Sequence, residues 1–117
     1  MTNYSLHVCH LYGDLMNTYG DLGNILVLKY LAKQMGVTLT SEVVSLNQPF
    51  DKDNFDIVVF GGGQDFEQSI ISKDIQNKKQ ALTDFIENDG SFVAICGGYQ
   101  LLGHYYVDAN GDQLPGI

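Results

Sequence analysis

The sequence is poor in basic residues, in cysteine and in long hydrophobic runs. Six Lys and Arg residues stand against fourteen Asp and Glu residues, which gives a formal net charge of -8. Such a chain offers no basic face for phosphates, so a nucleic-acid partner is excluded. Two cysteines, Cys9 and Cys96, are too few for a disulfide framework, which indicates free thiols in a reducing compartment.

The apolar runs are too short to cross a bilayer, and the N-terminus lacks a basic segment followed by an apolar one. We therefore expect no membrane insertion and a cytoplasmic location. What the chain does have is 44% hydrophobic residues, the level of a globular protein with a modest core. We expect one domain over residues 1–117.

Strand-like and helix-like apolar patterns alternate along the chain. Four strands are predicted, at residues 5–11, 39–46, 55–60 and 92–95, with a late hairpin at residues 105–114. The third and fourth are short apolar runs, typical of strands buried on both faces. Helices are predicted from Asp21 to Met35, with Gly36 as a C-cap candidate, at residues 74–88 and at residues 99–103. The residues predicted to face inward from the first two helices are Leu22, Ile25, Leu28, Ala32, Met35, Ile75, Leu82, Phe85 and Ile86. This order predicts an α/β fold in which helices flank a mostly parallel sheet.

Two glycine-rich segments follow predicted strands directly. Residues 61–65 (Gly-Gly-Gly-Gln-Asp) follow the third strand, and Cys96-Gly97-Gly98 follows the fourth. In an open α/β sheet, ligands bind outside the carboxyl ends of the strands, so these two segments are the candidates for chemistry. Successive glycines offer backbone N–H groups with no side chain in the way. A flexible turn is the simpler interpretation of residues 61–63, but an oxyanion-hole loop facing Cys96 explains the pairing better.

The surroundings of Cys96 have the layout of a nucleophile elbow. A strand runs into the cysteine, two glycines follow, and a helix is predicted next. Such a bend lifts the thiol out of the sheet beside a helix N-terminus, which favours a thiolate. Backbone N–H groups near Gly97 would then face a developing oxyanion. The alternative, a buried core cysteine, is the usual fate of a free thiol, but the Cys-Gly-Gly pattern favours the nucleophile.

Two further groups of polar residues carry weaker hypotheses. His7 and Cys9 share one face of a strand, but no second ligand pair is present, so we expect ordinary strand residues and no metal site. Asp14, Asp21 and Asn24 follow the first strand and are candidates to hold a ligand. For Asp21, capping of the first helix is an equally good interpretation.

With these residues laid out, the sequence resembles class I glutamine amidotransferases, most closely the cobyric acid synthase-like branch. Residues 94–100 (Ala-Ile-Cys-Gly-Gly-Tyr-Gln) look like the nucleophile motif of that family. Residues 19–24 (Tyr-Gly-Asp-Leu-Gly-Asn) and residues 61–65 are similar to two further motifs of the branch. The three motifs span most of the chain, so the resemblance implies the flavodoxin-like fold of the family.

The resemblance also implies a role for each motif residue. Cys96 would be the nucleophile, and the backbone around Gly62 and Gly97 would form the oxyanion hole. Gly63, Gln64 and Gln100 would hold the glutamine. The thiolate would attack the amide carbon, ammonia would leave, and water would hydrolyse the thioester. No metal and no cofactor are implied for this chain.

Within the branch, the resemblance is nearest to small free-standing amidotransferase subunits, because the pattern starts almost at Met1. Cobyric acid synthases of the branch carry an ATP-dependent synthetase region ahead of it. The resemblance therefore implies a partner chain, a Mur ligase-like synthetase subunit that uses ATP and Mg²⁺. That partner would activate the D-glutamate of lipid II, and ammonia from glutamine would convert it to D-isoglutamine during peptidoglycan synthesis.

The sequence departs from the family pattern at two points. Ala94 stands where the family usually has glycine, which tightens the bend before Cys96. The catalytic histidine of the family comes well after the cysteine, whereas only His104 follows it here. A continuous helix would carry His104 about 12 Å along its axis, too far for a hydrogen bond to the thiol. We therefore expect an N-terminal portion of the domain, incomplete at its C-terminus, with negligible glutaminase activity by itself.

Three other functions stay open at this point. The cysteine could be inert and the domain an interaction module that regulates a synthetase. The domain could instead serve a cobyric acid synthase-like pathway. It could also keep the nucleophile elbow but hydrolyse a substrate other than glutamine.

Overall fold

The computed structural model describes residues 4–17 and 20–117. The strands are β1 (Tyr4–Leu11), β2 (Val37–Val44), β3 (Ile57–Phe60), β4 (Ser91–Ala94), β5 (Tyr105–Val107) and β6 (Gln113–Pro115). The helices are α1 (Leu22–Gln34), α2 (Asp65–Asp74), α3 (Lys79–Glu87) and α4 (Gly97–Leu101), and a 3₁₀ turn at Ile75–Asn77 separates α2 from α3. Of the resembling motifs, only Tyr19 lies outside the described residues.

Four strands form a sheet in the order β2-β1-β3-β4, and all three pairings are parallel. The predicted α/β fold with a mostly parallel sheet is therefore confirmed. Because the strands are parallel, their carboxyl ends lie at the same end of the sheet, where β1, β3 and β4 end side by side. Leu11 pairs with Phe60, and Phe60 pairs with Ala94. The segments after these strands are therefore neighbours, although they are far apart in sequence.

Apolar side chains cover both faces of the sheet. On one face, Leu11 and Phe60 pack in a core with residues of α2 and α3 such as Ile71 and Leu82, all fully buried. On the other face, a smaller cluster joins Val8 and Val59 to Ile25 of α1. Burial of this apolar area is the main force that holds the helices on the sheet.

A buried ion pair lies beside the larger core. The carboxylate of Asp74 pairs with the ammonium of Lys78, accepts the Tyr12 hydroxyl at 2.5 Å and accepts the Asn47 N–H at 2.9 Å. Burial by itself raises the pKa of Asp74, but the hydrogen bonds from Lys78, Tyr12 and Asn47 outweigh it and hold that pKa below its usual value. Burial, together with the bond to Asp74, raises the pKa of Tyr12.

The structure corrects several predictions about individual elements. The helix predicted at residues 74–88 is α3 with a 3₁₀ turn before it, and α2 was not predicted at all. The spacing of apolar residues does not reveal α2, because three of its four buried residues are polar: Gln68, Ser72 and Asp74. Among the residues predicted to face inward, Leu22, Met35 and Ile86 are exposed.

Strand β4 was predicted to be buried on both faces, and this is wrong. Val93 is 46% exposed and Ile95, just beyond the strand, is 37% exposed. Strand β4 is an edge strand of the sheet. In the described residues, α1 packs on β1 and β3 instead, with Ile25 against Val8 and Val59. Two local predictions are confirmed: Gly36 follows α1 with φ of +73°, and β5 and β6 form the expected antiparallel hairpin.

No helix among the described residues is long and apolar enough to span a membrane. The same residues contain no cluster of three or more His, Cys, Asp or Glu side chains that could hold a metal ion.

Candidate functional site

Cys96 occupies a sharp bend between β4 and α4. Strand β4 ends at Ala94 and α4 begins at Gly97, so two residues complete the turn. Cys96 adopts φ of +53° and ψ of -114°, a backbone conformation that costs a non-glycine residue about 1–3 kcal/mol. Its side chain is exposed. The bend therefore presents the sulfur outside the packed core, as a nucleophile elbow does.

The bend is bonded to the triple-glycine loop, residues 61–63. The Ile95 N–H donates to the Phe60 carbonyl at 2.9 Å, and the Gly98 N–H donates to the Gly61 carbonyl at 3.0 Å. A Cβ on Gly98 would lie 2.8 Å from the Phe60 carbonyl carbon, closer than real Cβ contacts allow. The two glycine-rich strand ends therefore meet, as the sequence predicted, and the second glycine after Cys96 is needed for backbone to approach backbone.

Met16 lies between the Cys96 bend and the triple-glycine loop. This side chain is fully buried, with its sulfur against Gly63 and its terminal methyl against Gly97. A Cβ on Gly97 would lie 2.9 Å from that methyl group and 3.0 Å from Oε1 of Gln68. Sequence reasoning missed both Met16 and Gln68, because neither belongs to a glycine-rich motif and both reach the site from other parts of the chain.

The two predicted oxyanion donors differ in their surroundings. The Gly97 N–H makes no hydrogen bond to another described residue. The Gly62 N–H donates to the carboxylate of Asp21 at 3.2 Å. Asp21 does stand at the N-cap position of α1, but its side chain makes no capping bond; Asn17 accepts the Leu22 N–H at 2.7 Å instead. The capping prediction for the Asp21 side chain is therefore wrong.

The residues predicted to hold glutamine lie around the same bend. Gly63 is buried, whereas Gln64 is exposed at the extended N-cap position of α2. Gln100 lies on α4, and its Oε1 accepts a hydrogen bond from Nε2 of the buried Gln68 at 3.2 Å. That bond leaves the Gln100 amide NH₂ as a donor next to the bend. The structure thus brings together Cys96, Gly97, Gln100 and the triple-glycine loop.

The hairpin β5–β6 is anchored to α2 by Asp65, the acidic residue of the predicted motif at residues 61–65. One oxygen of Asp65 accepts the Tyr106 hydroxyl at 2.9 Å, and the other accepts the Ala109 N–H at 2.8 Å. The bond to Asp65, the main cause, raises the pKa of Tyr106 above its usual value. Asp65 therefore holds the hairpin against the N-terminus of α2.

The remaining thiol and the histidines on β1 belong to the interior or to other contacts. Cys9 is fully buried, and burial raises the pKa of its thiol to about 12, so it stays protonated and unreactive. His7 contacts the Asn54 carbonyl through Nδ1 at 2.9 Å and lies 3.4 Å from Glu42. His10 is buried, its ring lies against Gly13, and burial lowers its pKa. These contacts agree with the prediction that His7 and Cys9 are ordinary strand residues.

The sequence reasoning placed Cys96 and His104 on one continuous helix. In the structure they do not share a helix. Helix α4 ends at Leu101, and His104 stands just before β5. Its backbone carbonyl accepts the Gly116 N–H at 3.0 Å, which ties this segment to the end of the hairpin. The described residues show no hydrogen bond between a histidine and Cys96.

A surface cavity of about 530 Å³ lies at the amino end of the sheet, lined by residues such as Asp56, Phe85 and Gly90. These residues precede or flank the starts of β3 and β4, so the cavity opens at the end opposite Cys96. Its lining contains no cysteine or histidine. The exposed cysteine, Cys96, lies at the carboxyl end of the sheet instead.

The chain is similar to known proteins over most of its length. Residues 7–117 match the CobB/CobQ-like glutamine amidotransferase domain family. The chain is 56% identical, over 97% of its length, to the GatD subunit of lipid II isoglutaminyl synthase (glutamine-hydrolyzing) from Streptococcus pneumoniae, and 33% identical to its Staphylococcus aureus counterpart over the same share. These alignments cover 44% and 47% of the relatives, so the chain spans about half of their length. A cobyric acid synthase of Listeria monocytogenes is 34% identical over 47% of this chain and 11% of that protein.

Proposed function

The chain belongs to the CobB/CobQ-like glutamine amidotransferase family, and we propose that it forms the nucleophile-bearing part of a glutamine-hydrolysing subunit of lipid II isoglutaminyl synthase. The observation that carries the proposal is Cys96, an exposed cysteine with a positive φ at a strand-to-helix bend. The similarity to the two GatD subunits extends over 97% of the chain, whereas similarity to cobyric acid synthase covers about half of it. This difference favours lipid II over a cobyric acid pathway.

In the proposed reaction, the Cys96 thiolate attacks the side-chain amide carbon of glutamine. The C–N bond breaks, nitrogen takes a proton and leaves as ammonia, and a glutamyl thioester remains on the sulfur. Water then attacks the thioester, which releases glutamate and returns the thiol. Each addition places negative charge on the former carbonyl oxygen, and backbone N–H groups aimed at that oxygen lower the barrier.

We assign the oxyanion hole to the Gly97 N–H and to a backbone N–H of the triple-glycine loop next to Gly62, because the Gly62 N–H itself donates to Asp21. Both segments are buried, both lie next to the bend, and the Gly98–Gly61 hydrogen bond fixes their separation. Glutamine itself would be held by Gln100, through the amide NH₂ that its bond to Gln68 leaves free, and by residues 63–64. No metal or cofactor takes part in this half of the reaction.

The proton-transfer base is proposed to come from outside these 117 residues. His7 and His10 lie on β1 and make the contacts described above, and no described histidine is bonded to Cys96. We therefore expect the 117-residue chain alone to release ammonia from glutamine at a negligible rate. The ammonia acceptor would bind a Mur ligase-like partner subunit, which supplies ATP and Mg²⁺ and activates the D-glutamate of lipid II.

The test measures glutamate and ammonia release from glutamine by the protein expressed from its complete gene, with its synthetase partner present. Cys96→Ala should abolish release, while Cys9→Ala should keep it, since Cys9 is a core residue away from the bend. With lipid II and ATP supplied, the wild-type complex should convert D-glutamate to D-isoglutamine. Glutamine hydrolysis that survives Cys96→Ala would refute the nucleophile, and absence of amidated lipid II would refute the acceptor.

A further inference from the structure

Asp21 reaches the triple-glycine loop across 41 residues of sequence. Its Oδ2 accepts the Gly62 N–H at 3.2 Å, and the side chain is only 3% exposed. The contact is tight, because a Cβ on Gly61 would lie 2.7 Å from Oδ1 of Asp21. Asp21 therefore lies directly on the backbone of the loop.

A buried carboxylate is unfavourable unless hydrogen-bond donors compensate for its lost hydration. Asp21 stands at the N-cap of α1, where its own helix could supply such donors, yet it makes no capping bond there. Asn17 takes the Leu22 N–H instead. The donor that the described structure gives to Asp21 is thus the Gly62 N–H, and the carboxylate serves the loop rather than its own helix.

The connection between β1 and α1 contacts the site at a second point. Met16, from the same connection, lies between Gly63 and Gly97. One short segment therefore touches all three glycines of the loop and the first residue of α4. Glycine backbones are the most flexible in a chain, so three in succession would sample many conformations unless a neighbouring group restrained them.

We propose that Asp21 is the positioning residue of the oxyanion loop: its carboxylate holds the Gly62 amide so that the triple-glycine backbone keeps its orientation toward Cys96. This inference rests on the proposed glutamine hydrolysis. Asp21 does not touch the reacting atoms. It acts through the loop, and its loss should slow the step in which charge develops on oxygen while it leaves the sulfur itself unchanged.

The experiment compares Asp21→Ala and Asp21→Asn in the complete protein with its partner. Glutamine hydrolysis gives kcat and KM, and alkylation of Cys96 by iodoacetamide, which needs no oxyanion hole, reports on the thiol alone. For Asp21→Ala, we expect kcat to fall by about tenfold, which is less than the roughly 10²–10³-fold loss caused by removing an oxyanion donor, because the donors themselves remain. KM and the alkylation rate should stay close to wild type. Asp21→Asn keeps an oxygen acceptor and should recover most of kcat.

Asp53→Ala is the matched control. Asp53 is also acidic, but it is exposed and lines the cavity at the amino end of the sheet, opposite Cys96. It should leave kcat unchanged. An unchanged or higher kcat in Asp21→Ala, or a parallel loss of kcat and alkylation rate, would overturn the inference. If the wild type hydrolyses no glutamine, or if Cys96→Ala retains hydrolysis, the proposed function itself fails.

Discussion

The Gly98 N–H lies 3.0 Å from the carbonyl oxygen of Gly61, so the turn after Cys96 is hydrogen-bonded to the loop that faces it. This contact is between two backbones, and it needs both partners to approach without an intervening side chain. The Cys96 bend and the loop are therefore joined by main-chain geometry, and this contact requires glycine at position 98.

Gly98→Ala should disrupt this contact. The added methyl group would lie 2.9 Å from the Gly61 carbonyl oxygen and 2.8 Å from the Phe60 carbonyl carbon, and neither backbone atom can move aside cheaply. We expect a loss of stability of about 1–3 kcal/mol, as for other overpacking substitutions. Urea denaturation of the variant would measure it.

Gly23→Ala is the control for Gly98→Ala. Gly23 lies in α1 with nothing within 4 Å of an added Cβ, so alanine there should stabilise the helix by about 0.5–1 kcal/mol. Equal effects of the two substitutions would contradict the argument, since only one of them meets backbone atoms.

Asp65→Ala should detach the hairpin β5–β6 from α2. It removes both acceptors, the one for the Tyr106 hydroxyl and the one for the Ala109 N–H. Amide hydrogen exchange in residues 105–115 should become faster. In the variant, local opening of the hairpin does not have to break these two hydrogen bonds, so opening costs less free energy. The pKa of Tyr106 should also fall toward its ordinary value, since the bond to Asp65 is the main cause that raises it.

Asp112→Ala, in the same hairpin, provides the comparison for Asp65→Ala. Asp112 is exposed, and its backbone carbonyl, not its carboxylate, accepts the Asp108 N–H at 2.9 Å. The substitution removes one negative charge and leaves the anchor in place. Similar exchange rates in the two variants would mean that charge, not the two hydrogen bonds, holds the hairpin.

The bend at Cys96 was predictable from sequence because its signals are local. A strand, Cys96 and two glycines follow one another in the chain, and the turn they specify depends on little else. The contacts of Met16 and Asp21 were not predictable in this way, since Asp21 lies 41 residues from Gly62 and Met16 lies even farther along the chain from the glycines that it touches. Helix α2 was missed because its inward-facing residues include Gln68, Ser72 and Asp74, so its buried face shows no apolar residues at helical spacing.

The exposure of Val93 shows a further limit of sequence reasoning. An apolar run predicts a strand, but its burial depends on what packs against the sheet at that edge. The pattern of residues 92–95 is the same whether a neighbour covers them or not. Local pattern thus gives the element, while the tertiary neighbours decide which of its faces are buried.

Lys78→Met should destabilise the fold strongly. Lys78 is 3% exposed and pairs with the buried Asp74, and its ammonium lies 4.8 Å from the centre of the Tyr12 ring. Methionine keeps the length of the side chain but leaves the carboxylate without its cation. Removal of one partner of a buried pair costs about 3–5 kcal/mol, which urea denaturation would measure. Lys79→Met, one residue on and exposed, should change the unfolding free energy by less than about 0.5 kcal/mol.

The cost of Lys78→Met should depend on pH in a defined direction. The pKa of Asp74 in the fold lies below its usual value, so the stabilisation by this network is complete above the ordinary carboxyl pKa and is lost as pH falls through the folded one. The difference in unfolding free energy between wild type and variant should therefore be large at neutral pH and shrink as the pH falls below the ordinary carboxyl pKa. His10, whose pKa burial lowers, titrates in both proteins and cancels from the difference. A difference that stays constant over this range would mean that Lys78 stabilises the core by packing on Tyr12 and not by its charge.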